Sequence, residues 1–305
     1  MHETEEMMEI SWKPVSMEDR DIIESFYEKE QSMSCEFSFA NNLLWMPYYS
    51  IRYAIIRDCL VFISHESICS VSFPLGRGDI QGVVDDLLQY FSEIGRKFQM
   101  HLVTREQFAR LEKFYPGKFD ITYNRDAADY IYEAEKLRTL AGKKLHGKRN
   151  HINKFKQLYP DWSFEELNDE NTQECLAMAE EWGAQNLVEQ DEEKDAEFEI
   201  TLRALRERER LHLRGGLIRA NGKVVAFSLG EPCNRETYVV HIEKAFADVP
   251  GAYPMINQQF VEHIAEGYRY INREDDIGSE GLRKAKLSYF PDILLEKGLV
   301  TQKGE

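Results

Sequence analysis

The chain has 305 residues, with 54 Asp and Glu against 38 Lys and Arg and a formal net charge of −16. That length predicts two domains, and the negative field argues against indiscriminate binding to nucleic acid or anionic lipid. No apolar run approaches the ~18 residues of a membrane span, and the acidic start MHETEEMMEI has the wrong sign for a signal or transit peptide. The five scattered cysteines form no CxxC, which points to free thiols in a reducing cytoplasm. The histidines lack ligand spacing, so no metal site is expected.

In chain order, residues 1–9 read as a frayed end. Ser16, with Asp19 three positions on, then opens a helix carrying Ile22, Ile23 and Phe26. FSFANNLLW (37–45) reads as packing, with Asn41, Asn42 and Trp45 near a cleft between halves. Residues 51–76 alternate and are β-branched, the pattern of an antiparallel meander. The next helix turns Val83, Val84, Leu87, Leu88 and Phe91 inward. MHLVT is a buried strand, REQFARLEKFY a helix and ADYIYEA a strand.

Beyond the midpoint, WSFEEL is a strand and two helices follow, separated by an acidic run from Glu189 to Glu199 expected as a solvated loop and helix start. Residues 215–232 form a hairpin on an Asn221-Gly222 turn. ETYVVHIEKAF is a strand, NQQFVEHIAEGY a helix, RYINRE a strand and EGLRKAKLSYF a short helix. Both LVFISHESICSVSFPLG and LIRANGKVVAFSLG are hairpins ending in Leu-Gly, as duplication of one α+β unit requires. We place the boundary near residue 135, giving units 1–135 and 136–305, with the candidate site in the second.

Residues 136–156, KLRTLAGKKLHGKRNHINKFK, hold eight Lys or Arg and no Asp or Glu. As a helix they place Leu145, Ile152, Phe155 and Tyr159 within one arc of about 80°. Lys143, His146, Asn150, Asn153 and Lys154 fall opposite. Lys148 lies inside the apolar stripe, so its charge must find a partner or snorkel out. The segment reads either as a solvated cationic face or as an anion site using Lys144, Lys148 and Arg149. The second reading is favoured because like charges accumulate where a plain surface would mix signs.

Alternation puts His241 and Glu243 on one strand face, either as a base–acid pair or as a hydrogen-bonded histidine beside a surface glutamate. In NREDDIGSEGLRKAK, Asn272, Arg273, Asp275 and Asp276 leave a strand. Arg283 and Lys286 follow on a helix. The arginine suits a carboxylate or phosphate and the lysine a point contact. The aspartates suit an α-amino group, and equally a helix cap or an ion pair with Arg283.

Residues 140–155, 238–260 and 270–291, together with CEFSFANNLLW, resemble the family of proteins similar to the C-terminal domain of phosphatidylglycerol lysyltransferase, of the DUF2156 type. The resemblance implies an α+β fold of two tandem GNAT-like (acyl-CoA N-acyltransferase-like) domains with mostly antiparallel mixed sheets. It implies an acyltransferase moving an aminoacyl group from aminoacyl-tRNA to a lipid or peptide acceptor. Its partners would be tRNA or another phosphate-bearing donor, with peripheral membrane contact. Acetyl-CoA is the second donor. GNAT enzymes hold its pyrophosphate at a Q/R-x-x-G-x-G/A loop opening a helix, whereas ADVPGAYPMINQQF offers one glycine, Gly251, and two prolines. A non-catalytic anion-binding module of the same fold is the alternative from another class. On the catalytic reading, the enzyme must orient an acceptor, take its proton and stabilise an oxyanion.

Overall fold

The computed structural model describes residues 10–65, 69–186 and 192–304. The frayed end expected at 1–9 lies outside them, as does the part of the acidic run before residue 192.

The first half comprises β1 (Lys13–Pro14), α1 (Arg20–Glu30), α2 (Phe39–Tyr49), β2 (Arg52–Ile56), β3 (Cys59–Ser64), β4 (Ser70–Val71), α3 (Ile80–Glu93), β5 (Gln99–Thr104), α4 (Arg105–Phe114) and β6 (Phe119–Glu133). A basic connection follows, α5 (Ala134–Thr139) and α6 (His146–Leu158). The second half is β7 (Ser163–Glu166), α7 (Thr172–Asn186), α8 (Glu192–Arg206), β8 (Arg214–Ala220), β9 (Lys223–Pro232), β10 (Thr237–Ala245), α9 (Ala252–His263), β11 (Tyr270–Asn272), α10 (Glu280–Leu287) and β12 (Ile293–Gln302).

Local chemistry accounts for most of these elements. Ser16 donates its backbone N–H and hydroxyl to Asp19 Oδ2 at 2.8 and 2.7 Å, closing the expected box ahead of α1. The β8–β9 turn places Asn221 and Gly222 at φ 50° and 73°, the left-handed pair that a tight hairpin needs. α9 starts at Ala252, five residues before the expected helix, because Pro254 falls in its first turn, where no intrahelical N–H is required.

All twelve strands join one sheet in the order β1-β2-β3-β4-β5-β12-β6-β11-β10-β9-β8-β7. Each strand and the strand six later occupy mirrored places in this order. The pairing is antiparallel except at β4–β5 and β10–β11, each a parallel pair bridged by one helix, α3 or α9. The fold is therefore the expected tandem of GNAT-like units on mostly antiparallel sheets. The centre is exchanged: β12 lies between β5 and β6, while β6 reaches β11. A cut in the chain at 135 thus leaves β12 inside the first half of the sheet.

Two apolar cores support it. One gathers α1, α2 and the second half, including Phe39, Leu43, Phe155, Phe227 and Phe260. The other lies under α3 and α4, with Val83, Leu87, Phe91, Phe98 and Met100.

Candidate active site

β10 and β11 pair in parallel only over Thr237–Val239 and Tyr270–Asn272. Beyond Val239, β10 continues on β9 alone, so the sheet opens. At that opening the β9–β10 register slips between Val240 and Ile242, leaving His241 as the extra residue. A bulge re-aims a side chain and breaks period-2 alternation, so His241 and Glu243 take different partners.

His241 Nδ1 lies 2.6 Å from Glu274 Oε1 and Nε2 lies 3.0 Å from Glu231 Oε1. Glu231 Oε1 also accepts the Ala40 N–H at the start of α2, 3.0 Å away, tying in the first half. The His241 side chain is 5% exposed. Burial would push its imidazole toward neutrality, but the bonds to Glu231 and Glu274 outweigh burial and lift its pKa to about 10. His241 is thus an imidazolium at neutral pH with both N–H groups engaged. It braces Glu274, which sits at φ 56° just past β11, and it has no lone pair for a substrate proton.

Glu243 accepts from Arg273 Nη2 at 2.7 Å and from Asn257 Nδ2, on α9, at 3.1 Å. The Arg273 guanidinium lies 5.0 Å from the Tyr289 ring centroid. Lys148 comes to the same ring, its Nζ 4.1 Å from the centroid. This is the partner its place in the apolar stripe demanded. Burial and Arg273 lower the Lys148 pKa, against the pull of Glu243.

Behind the opening lies a buried ionic cluster. Lys297, 0% exposed, donates to Asp129 Oδ1 at 2.8 Å and Glu36 Oε1 at 2.6 Å. Asp129 Oδ2 accepts from the Cys35 N–H and from Asn272 Nδ2, each 2.9 Å away. Cys35, Glu36 and Asp129 present ligand atoms within 4.8 Å of one another, but the Lys297 ammonium sits among them where a metal ion would go. Burial, with Asp129, Glu274 and Glu36, raises Asp275 to about 7, and Lys297 offsets only part of this. Asp275 therefore changes charge near neutrality.

Other expected ligand-binding residues serve the structure instead. Arg283 forks onto Asp276 at 2.8 and 2.7 Å and reaches Asp126 at 2.6 Å. Asp276 also accepts from Tyr130, and despite burial it is held at about 2 by these bonds and the Gly278 N–H. Lys286 is buried and donates to the carbonyls of Arg273, at 2.6 Å, and Asp275. Asn272 accepts the Glu274 N–H at 2.7 Å and fixes that turn. These groups shape the loop after β11, with Arg283 paired to Asp276 and Asp126 and the Lys286 ammonium held on backbone carbonyls. Arg149 is likewise spent, donating to the carbonyls of Leu140 and Gly142.

The single helix expected across the basic segment is broken: α5 ends at Thr139, Leu140 (φ 49°) and Gly142 (φ 87°) are left-handed, and α6 starts at His146. The two faces nevertheless hold, with Leu145, Ile152 and Phe155 buried and Lys143, His146, Asn150, Asn153 and Lys154 exposed. Lys144 extends over the Phe290 ring, 5.4 Å from its centroid. Both line a shallow cavity of about 500 Å³ with Lys143, Gly142 and Pro291. α6 also covers the N-terminus of α9: a Cβ at Gly251 (φ 91°) would stand 2.5 Å from the His151 carbonyl oxygen. The α6 backbone therefore packs directly against the residue that precedes α9.

Glu231, Glu274, Asn257 and Tyr289 were not singled out in the sequence. Glu274 was adjacent to residues that were. The others announce themselves only once the bulge and the opening are known.

A twelve-stranded sheet built from two units, each with a parallel pair that opens beside a crossover helix, defines the tandem GNAT class of acyltransferase folds. The chain belongs to the family described as phosphatidylglycerol lysyltransferase, C-terminal, which it matches over residues 28–300. It is 41% identical, with a TM-score of 0.92, to a conserved protein of unknown function from Bacteroides thetaiotaomicron, covering 97% of this chain and 100% of that one. The L-PGS structure from Bacillus licheniformis superposes with a TM-score of 0.65 at 18% identity over 98% of this chain and 95% of that one, a likeness of fold. An uncharacterized protein of Mycoplasmoides gallisepticum is 26% identical over 197 residues, 60% of this chain, and the match spans 59% of that protein's length. Family and fold indicate an acyltransferase. Among the described residues no helix is long and apolar enough to cross a membrane.

Proposed function

We propose that this protein transfers an aminoacyl group from aminoacyl-tRNA to a lipid or peptide acceptor at the opening between β10 and β11. One observation carries the reading. Ionisable groups surround the opening: His241 lies between Glu231 and Glu274, Glu243 holds Arg273, Lys148 of α6 reaches the Tyr289 ring beside Arg273, and Asp275 is poised near neutrality. The aminoacyl ester is already activated, so positioning and one proton transfer suffice. The acceptor's nucleophilic atom bonds the acyl carbon and the ester C–O bond breaks. The acceptor's proton passes to the Asp275 carboxylate and on to the departing ribose oxygen. His241 and Glu243 act one step back: the imidazolium fixes Glu274, and Glu243 holds Arg273. The α6 backbone against Gly251 weighs against acetyl-CoA as donor.

The test is consumption of aminoacyl-tRNA by the purified protein, with lipid vesicles or peptides as acceptors. The rate should rise as pH climbs through 7 and Asp275 ionises. Asp275→Asn should lower turnover by roughly 10²–10⁴ and lose that limb. A wild-type protein that consumes none of the twenty aminoacyl-tRNAs sinks the reading in favour of a non-catalytic module.

A further inference from the structure

In the buried ionic cluster a lysine nitrogen rests against a cysteine sulfur: Lys297 Nζ donates to Cys35 Sγ at 3.7 Å. The thiol donates in turn to Asp129 Oδ1 at 3.4 Å, and the Cys35 N–H fixes the residue on Asp129 Oδ2 at 2.9 Å. Lys297 is 0% and Cys35 5% exposed. Glu36, bonded to Lys297 at 2.6 Å and with its side chain 26% exposed, is where the cluster meets solvent. A thiol, an amine and two carboxylates that can take protons from them are thus held in one set, although the cysteine and the lysine stand 262 positions apart in the chain.

At rest the pair is inert. Burial, Asp129 and Glu36 push the Cys35 thiol well above its ordinary range, and Lys297 counters only part of this. Despite burial, Asp129 and its acidic neighbours keep Lys297 an ammonium. An oxidant changes this, because a sulfenic acid is attacked by nitrogen and closes an S–N bond. We propose that Cys35 and Lys297 form a modification site, joined covalently through sulfur and nitrogen when the protein meets a peroxide. In the first step the thiol proton passes to Asp129, and the sulfur attacks one peroxide oxygen. The S–O bond forms, the O–O bond breaks, and the departing hydroxide takes the proton back as water. Sulfur is oxidised and the peroxide reduced. In the second step Lys297 nitrogen attacks that sulfur, the S–N bond forms and the S–O bond breaks. The nitrogen gives up two protons, one to the departing hydroxide and one to Glu36, whose exposed side passes it to solvent. The bond removes the charge of Lys297. That charge draws Asp275 down against burial, Asp129, Glu274 and Glu36, so the bridged form keeps more of its Asp275 protonated and turns over more slowly. This last consequence rests on the acyl-transfer reading, and the bridge itself does not.

Peptide mass mapping of the full chain after treatment with hydrogen peroxide tests it. A peptide pair linking Cys35 to Lys297 should appear, lighter than its parts by two hydrogens. Trypsin should no longer cut after Lys297, and dithiothreitol should restore both peptides. Cys35→Ser keeps a donor for Asp129 and should abolish the link, as should oxidation of the chain in denaturant. Oxygen added to Cys35 with Lys297 still cleavable overturns the proposal. So does a link from Cys35 to Cys233 or another cysteine, or a lysine link formed equally well in the denatured chain. A Cys35–Lys297 link that retains an added oxygen overturns the direct bond. A bridged protein with unchanged turnover overturns the effect on Asp275. The bridge in a protein inert toward aminoacyl-tRNA keeps this inference and sinks the acyl-transfer reading.

Discussion

The sheet opens twice, at β4–β5 and at β10–β11, and the two openings share backbone geometry while differing in every side chain that counts. Each second strand turns through one left-handed residue two positions after the last parallel pair, Leu102 (φ 52°) after Met100 and Glu274 (φ 56°) after Asn272. On the first strands the same step leads from Val71 to Phe73 and from Val239 to His241. The residue before the turn is His101 in one half and Arg273 in the other. Burial drives His101 down to about 4, so it stays neutral, bonded to Ser70 Oγ at 2.8 Å. The two carboxylates hold His241 charged. The first opening is closed by Phe73, Met100 and Val103 under α3, and the N-terminus of α3 is capped by its own Asp79, whose Oδ1 accepts the Gly82 N–H at 2.9 Å. Among the described residues, the first opening holds a neutral histidine among apolar side chains, and the second gathers charged groups. Where charge is placed, rather than topology, separates the two openings.

The contrast breaks down at the shared seam, where the largest effect is expected. Lys297, carried into the first half by β12, bonds Glu36 of the first half and Asp129 of β6. Lys297→Met strands two carboxylates and should cost about 3–5 kcal/mol, read by chemical denaturation as one transition. Two separate transitions would mean that the halves are energetically independent.

A smaller effect contrasts the histidines. The pKa of His241 is raised, so its contribution to stability is fully present below about 6.5, the unfolded value, and is lost as pH rises through about 10. Wild-type stability should fall by a few kcal/mol, on the order of the linkage, across that window. His241→Gln should flatten the curve there, whereas His101→Gln should leave it intact. A wild-type profile flat from pH 6.5 to 10 contradicts the bracketed imidazolium.

The smallest difference has opposite signs. Leu102→Gly relieves a left-handed residue at an exposed site and should stabilise by about 0.5–1 kcal/mol. Glu274→Gly relieves the same strain but orphans His241, and should destabilise by about 1–3 kcal/mol. Equal signs in the two melts would show that the turn, and not the brace, sets the energetics.

Local signals in the sequence carried most elements. The hairpin at Asn221-Gly222, the box at Ser16 and the inward stripes of α3 and α6 needed only neighbours in the chain. β12 escaped because the slip between Leu295 and Lys297 spoils its alternation and because a fully buried lysine in a strand contradicts the usual pattern. β6 was foreseen only at 128–134, since its outer part alternates polar residues with half-exposed ones. α2 carries Pro47 and a helix-poor composition, so it read as packing. Of the residues expected at the site, Glu243 bonds Arg273, Arg273 and Lys148 share the Tyr289 ring, and His241 bonds Glu274, the residue before Asp275. Their roles were not legible. A bulge is invisible to period-2 reasoning, and whether an arginine meets a ligand or an aspartate depends on contacts such as Arg283 with Asp126, 157 positions apart in the chain.

The exchange of β6 and β12 also sets a clock on synthesis. β5 and β6 belong to the first third to half of the chain, yet the strand that lies between them begins at Ile293. A ribosome making roughly 5–20 residues per second leaves β5 without its neighbour on the β6 side for many seconds while the second half is translated. Through that interval two open strand edges stand where unrelated chains can add, and the cluster around Asp129 has no ammonium to neutralise it. Chains halted before residue 293 should therefore be chaperone clients even when every earlier element has formed.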